Sequence, residues 1–369
     1  MTAASPSATA APAKTPPSGV RLLLTAAVLM AILALPIVAL MFTPLASGAG
    51  AAMPGIFVAA LSLLNLGVRK GLLLTAVSVV AIGISPVGVV YPAIGVMILV
   101  SVGALTGLAA FRGAPTPVIE VAILMGLTMI GPSALTARQV AEGVTVTPTY
   151  LVTLVGINIL SAAWASLCVV LLWKRLPKIP RQPLRREGSI VYGATMAFLL
   201  GAVGAVSLTW FPYTLAGWTI LTICVIVRPM YPHEGVVHGL RHRAEHRAAG
   251  TLGGVIIAAG IAAVVHNSNA LVIIGLAFLV AAVGRLAAGV PYWQFVILLT
   301  PSMVFMGNGG THVDRVALVR LGCSLLGIVL AIGALEFNRR FTFPWIARER
   351  ALKASTSPSG DRGADDDTK

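Results

Sequence analysis

The sequence predicts an all-α protein, a polytopic transmembrane helical bundle of about twelve spans arranged as two parallel six-span repeats. Three observations lead there: an apolar composition, apolar runs of spanning length, and cationic residues confined to alternate loops. Hydrophobic residues make up 57% of the 369 and charged residues 10%, with a mean hydropathy of +0.92. A soluble domain covers its surface with about one charged residue in four, so most of this surface must face hydrocarbon. The runs are continuously apolar and many approach the ~20 residues that cross a core of about 30 Å. A barrel would instead alternate in and out over strands of about ten residues.

Taken in order, spans are expected at Leu22–Phe42, Ala49–Leu66, Gly71–Ile84, Val87–Phe111, Val118–Leu135 and Thr149–Trp173. A second set follows at Ile190–Phe211, Leu215–Val227, Ala248–His266, Ala270–Ala288, Tyr292–Met306 and Val316–Phe337. Gly71–Ile84 and Leu215–Val227 are short, as half-helices are when a broken backbone lines a cavity. The first run is too long for the apolar region of a cleaved signal peptide, so it reads as a retained span.

Loop charge gives the orientation. Of the 26 Lys and Arg, only Arg138, Arg315 and Arg320 fall on one side when the N-terminus is placed with the majority. Cytoplasmic loops collect Lys and Arg, so both termini are expected in the cytoplasm. The net charge of +14 then belongs to topology and to anionic lipid, with no nucleic acid as partner. The wealth of Arg, Ala, Gly, Val and Leu suits a GC-rich bacterial genome and hence a bacterial inner membrane.

The organisation follows from these runs. Residues 1–20 read as a disordered cytoplasmic N-terminus, 21–173 as the first repeat and 174–189 as a basic linker broken by Pro177, Pro180 and Pro183. Residues 190–340 form the second repeat and 341–369 a polar cytoplasmic tail. Arg112 with Pro117-Val118-Ile119-Glu120 recurs as Arg285 with Pro291-Tyr292-Trp293-Gln294. An even number of spans per repeat makes the repeats parallel, with a pathway expected between the halves. The alternative is an old duplication whose halves merely pack.

Candidate functional residues are few. Trp218-Thr219-Ile220-Leu221-Thr222, then Arg228-Pro229, then Arg247-Ala248-Ala249-Gly250-Thr251-Leu252-Gly253-Gly254 stand out, as does Asp314-Arg315 through Arg320-Leu321-Gly322 and Gly327. Gly250 and Gly254 have the spacing that lets another helix approach closely. Arg228, Arg243 and Arg247 read either as a ring concentrating anions at the cytoplasmic mouth or as plain topology anchors. These motifs resemble the fusaric-acid-resistance (FUSC) family, and the likeness covers about residues 190–340. The first half fits by hydropathy alone, because Arg69-Lys70-Gly71 lacks the following Gly-Thr.

The resemblance implies export of small organic anions, aromatic carboxylates in particular, with a small organic anion as substrate. It adds Trp218, Thr222 and Thr251 to Arg228, Arg243 and Arg247 as candidate substrate-binding residues. Two alternatives stay open: a passive anion channel of the same architecture, and a membrane scaffold or pH sensor partnering a periplasmic adaptor protein. An oligomer is compatible with all three.

Glu120 is the candidate coupling group, since an acid within a span costs enough to be functional by default. Its alternatives are snorkelling to the headgroups or pairing with Arg112. Asp314 and Arg315 are expected at the outer mouth, pairing with each other or with Arg320. His238, His242 and His246 share one helical face, which suits a surface helix on anionic lipid, a pH sensor, or a metal. Cys168, Cys224 and Cys323 read as buried small hydrophobes. With no metalloprotease, nucleophile-elbow or phosphate-loop motif, neither an enzyme nor a cofactor is expected.

Overall fold

The computed structural model describes residues 31–173, 181–229, 236–287, 290–307 and 312–345, together with Val28 and Arg348. Most of the expected first span, the linker prolines Pro177 and Pro180, and nearly all of the tail lie outside the described residues. Within them the chain is an all-α bundle with no strand. Seven helical stretches are long and apolar enough to cross a membrane, and four shorter apolar helices accompany them.

The first half begins with α1 (Leu35–Met41) and a 3-10 stretch at Ala46–Ala52. Then come α2 (Met53–Leu66), α3 (Val68–Ile84), a single turn α4 (Val87–Val90) and α5 (Pro92–Phe111). It closes with α6 (Pro115–Ile130), the short α7 (Ala137–Ala141) and α8 (Pro148–Leu171). The second half is α9 (Arg186–Trp210), α10 (Gly217–Ile226), α11 (Val236–Val264), α12 (Ser268–Ala287), α13 (Tyr292–Gly307) and α14 (Val313–Phe337).

Two expectations change here. The run from Val87 to Phe111 is not one helix, because Val87–Val90 continues the preceding stretch and the helix restarts at Pro92. Tyr91 precedes that proline and sits at φ −122°, ψ 81°, outside the helical region that the pyrrolidine ring disfavours for its predecessor. The third span is therefore not short: Val68–Val90 runs 23 residues. The eighth is. At ten residues, α10 covers about 15 Å at 1.5 Å per residue, and nearly every residue from Gly217 to Ile226 is buried. A helix apolar on all sides belongs in a core.

Each half packs around its own centre. In the first, α2 lies against α3 and α8; in the second, α14 lies against α10 and α11, and α13 packs on both α11 and α12. The halves join along α5 and α9, and α6 reaches α10. Small residues make the α5–α9 contact. A Cβ built on Gly103 would stand 2.6 Å from Ala197 Cα, and one on Gly107 would stand 2.5 Å from the Ser189 carbonyl oxygen and 2.7 Å from Gly193 Cα. Helices in lipid gain stability from such close packing, since apolar burial alone does not favour one helix over another there.

The turns sort into two ends. Arg181 donates to the carbonyls of Asn65 (3.3 Å) and Leu66 (3.1 Å), and the Leu184 amide donates to Ala110 O (3.0 Å). The end of the linker thus caps carbonyls at the end of α2 and adds a second donor to the Ala110 carbonyl, which also accepts from the Gly113 amide at 3.0 Å. At the other end the Tyr150 hydroxyl donates to Ser133 O (2.9 Å), and Gly131 approaches the Thr214 carbonyl. If the loop-charge rule orients the bundle, a cysteine at the exposed Thr145 labels with an impermeant maleimide on intact cells. One at the exposed Gln182 labels only after permeabilisation. The reverse pattern would overturn the orientation.

A buried cation cluster as candidate functional site

The chemistry gathers in the second half. Arg247 on α11 and Arg320 on α14 are each 1% exposed. Taking a guanidinium out of water costs several kcal/mol even after relaxation, and a buried charge is normally paired. Neither of these is: no described carboxylate forms an ion pair with either one. The Arg247 guanidinium donates through Nη1 to the Tyr292 hydroxyl at 3.3 Å, while its Nε has no partner. Nε, Nη1 and Nη2 of Arg320 have no hydrogen-bond partner at all among the described residues. The Arg320 guanidinium carbon sits 4.7 Å from the centre of the Trp218 ring, a cation–π contact that holds the group in place without using its N–H donors. Arg247, Tyr292 and Cys323 all lie within electrostatic reach of Arg320, so two cations, a phenol and a thiol share one neighbourhood.

Local sequence explains how the helices bring these groups in. A Cβ on Gly250 would meet Val296 Cβ at 2.7 Å, and one on Gly254 would meet Thr300 Cβ at 2.5 Å. The glycine spacing is therefore a packing device that draws α11 onto α13 and sets Arg247 beside Tyr292. Gly327 accepts Thr222 in the same way, its built Cβ falling 2.7 Å from Thr222 Cβ, which seats α14 on α10 and Arg320 over Trp218. Inside α13, Pro301 leaves the Ile297 carbonyl without its usual helical donor. Thr251 Oγ1, one turn beyond Arg247, and Thr300 Oγ1 are buried with no partner among the described residues. What this arrangement can do is accept an anion. It offers unused guanidinium donors and hydroxyls in a site that excludes water, where charge-assisted bonds are strong.

The expected residues fare differently. Arg247, Thr251 and Trp218 fall in the cluster. Thr222 is buried, but its hydroxyl donates to the Trp218 carbonyl at 3.1 Å, so it serves helix packing. Arg228 is exposed beyond the end of α10, and Arg243 is half-buried one turn before the buried Arg247. Glu120 is half-buried on α6, within electrostatic reach of Cys224 on α10. It does not pair with Arg112 among the described contacts, whereas Gln294 accepts a hydrogen bond from Arg285 at 3.4 Å.

Asp314 and Arg315 are exposed, and neither pairs with Arg320, which lies inside the bundle and not at a mouth. Along the histidine face, His242 and His246 stack with ring centroids 3.8 Å apart, and the side chain of His238 lies outside the described residues. No group of three or more His, Cys, Asp or Glu forms a metal cage among the described residues.

Arg320 and Tyr292 are members of the cluster that were not among the expected binding residues. The signal for Arg320 was present, since an arginine inside an apolar run is a functional candidate by default.

The bundle of long apolar helices defines a multi-pass membrane protein. Residues 199–334 match the family described as fusaric acid resistance protein-like. The matched stretch contains Trp218, Arg247, Tyr292 and Arg320. No curated protein and no solved structure matches the chain.

Proposed function

We propose that this protein is a gradient-driven exporter of small organic anions, aromatic carboxylates among them, working in a bacterial inner membrane with both termini in the cytoplasm. The observation that carries the reading is the pair of fully buried guanidiniums with unused donors and no acidic partner among the described residues. An anion entering the cluster offsets the desolvation of both cations, so occupancy is favoured by the same burial that makes the empty site costly. The seam between the halves is lined by apolar side chains and glycines, and the binding site lies beside it in the second half. The twelve-span, two-repeat organisation gives that half a partner, with Glu120 as the residue through which a proton gradient acts.

Inverted membrane vesicles test this directly. Saturable accumulation of a labelled aromatic carboxylate above its outside concentration is expected when a proton gradient is imposed. Equilibration without accumulation would instead identify a passive channel, and no flux would favour the scaffold. In the same assay Glu120→Gln should abolish proton-driven accumulation while sparing exchange of labelled for unlabelled substrate. Gln294, an amide at the matching place in the second half, shows that the substitution suits the fold. Undiminished proton-driven accumulation in Glu120→Gln would remove Glu120 from the coupling mechanism.

A further inference from the structure

We infer that the cluster is built for an organic ligand carrying two carboxylates, one for each guanidinium. This rests on the reading of Arg247 and Arg320 as an anion site, and it adds the charge and shape of the ligand. The argument is a balance of charge inside a low-dielectric space. Among the described residues, Glu336 is bound by Arg339 and Arg340, and Glu142 by Arg138. Asp314, Glu187 and Glu245 are exposed on their helices, and Glu120 lies within electrostatic reach of Cys224 on α10. The pair therefore presents two positive charges that no described carboxylate compensates.

A monocarboxylate leaves one of those charges buried and unbalanced; a dicarboxylate leaves none. The two guanidiniums also come from different helices and are held separately, Arg247 by the Tyr292 hydroxyl and Arg320 by the Trp218 ring face. Two separately anchored donors suit two carboxylates on a spacer better than a single compact oxyanion, and planar guanidinium matches carboxylate geometry edge to edge. The apolar ring of Trp218 beside them favours an organic spacer.

Calorimetric titration of the purified full-length protein in neutral detergent separates the possibilities. The probes are benzoate, the three benzenedicarboxylate isomers, sulfate and chloride, each against wild type, Arg320→Gln and Arg247→Gln. In wild type, the tightest dicarboxylate isomer should bind at least about tenfold more tightly than benzoate, a difference of about 1.4 kcal/mol, and more tightly than sulfate. Either glutamine variant should reduce that isomer to the affinity of benzoate while changing benzoate much less. A thermal melt of each variant confirms that it is folded, and either one suffices. Benzoate binding as tightly as every dicarboxylate, or sulfate binding best, would overturn the inference and leave the anion site standing. Binding of none of the six probes would overturn both.

Discussion

Arg320→Met should abolish anion transport and leave the protein as stable as the wild type or more so. Replacing even a buried ion pair by well-packed apolar residues is often neutral or stabilising by about 1–4 kcal/mol, and a buried cation without an acidic partner has less attraction to lose. Arg320 is the extreme case, with three guanidinium nitrogens that have no hydrogen-bond partner among the described residues. Methionine keeps most of the aliphatic stem and a flexible end that fills the space against Trp218. A residue that lowers stability in the resting protein is retained when function needs it. The two readouts are a thermal melt in detergent and vesicle uptake, compared at equal abundance. If Arg320→Met instead lost about 3–5 kcal/mol, the cost of breaking a buried pair, the guanidinium would have a structural partner and the site assignment would fail. Arg247→Met should behave similarly with a smaller gain, since it also gives up the bond to Tyr292.

The largest loss of stability is expected from Gly107→Val. Its new Cβ would fall 2.5 Å from the Ser189 carbonyl and 2.7 Å from Gly193 Cα, both backbone atoms of α9 that no rotamer change can move. The helices would have to part along the seam that joins the halves, which exceeds the ~1–3 kcal/mol of ordinary overpacking. The variant should give little monodisperse protein on size-exclusion chromatography. Gly260→Ala supplies the control, because a Cβ there meets nothing within 4 Å, and alanine in a helix interior is worth up to about 1 kcal/mol over glycine. A monodisperse Gly107→Val protein would show that the seam is looser than its geometry implies.

Much of the fold was legible because hydrocarbon imposes a simple rule: apolar runs become helices. Boundaries were less legible, and Pro92 shows why. A proline can open a helix or end one, and only the backbone at Tyr91 decides. The shortness of α10 was readable because Arg228-Pro229 interrupts the run. The Arg247-x-x-Gly250-Thr251 motif was readable as a place, and its division of labour was not. The glycines bring α11 to α13, and the arginine uses the position they create. Arg320 was hidden by its sequence neighbours, since Asp314 and Arg315 make the start of that run look like a charged loop. Its true surroundings, Trp218 and Tyr292, are about a hundred and about thirty residues away, and nothing local in the chain announces them. In the first half, Asn158 and Ser62 each leave a polar atom buried without a partner, but they are neutral, so the two halves are not chemically equivalent.

Unbalanced positive charge at a fixed place in the bundle has an electrical consequence. An empty site holding two guanidiniums carries two positive charges; the same site with a dicarboxylate bound carries none. Across a membrane that is negative inside, each charge moving through the full field is worth about 2.3 kcal/mol per 100 mV. The voltage therefore acts on the unloaded protein and hardly at all on the loaded one. In an exporter of a dicarboxylate it would draw the vacant site toward cytoplasmic access and leave outward passage of the ligand electrically silent. Turnover should rise with an interior-negative potential through its return step, and current should flow only while vacant sites reset.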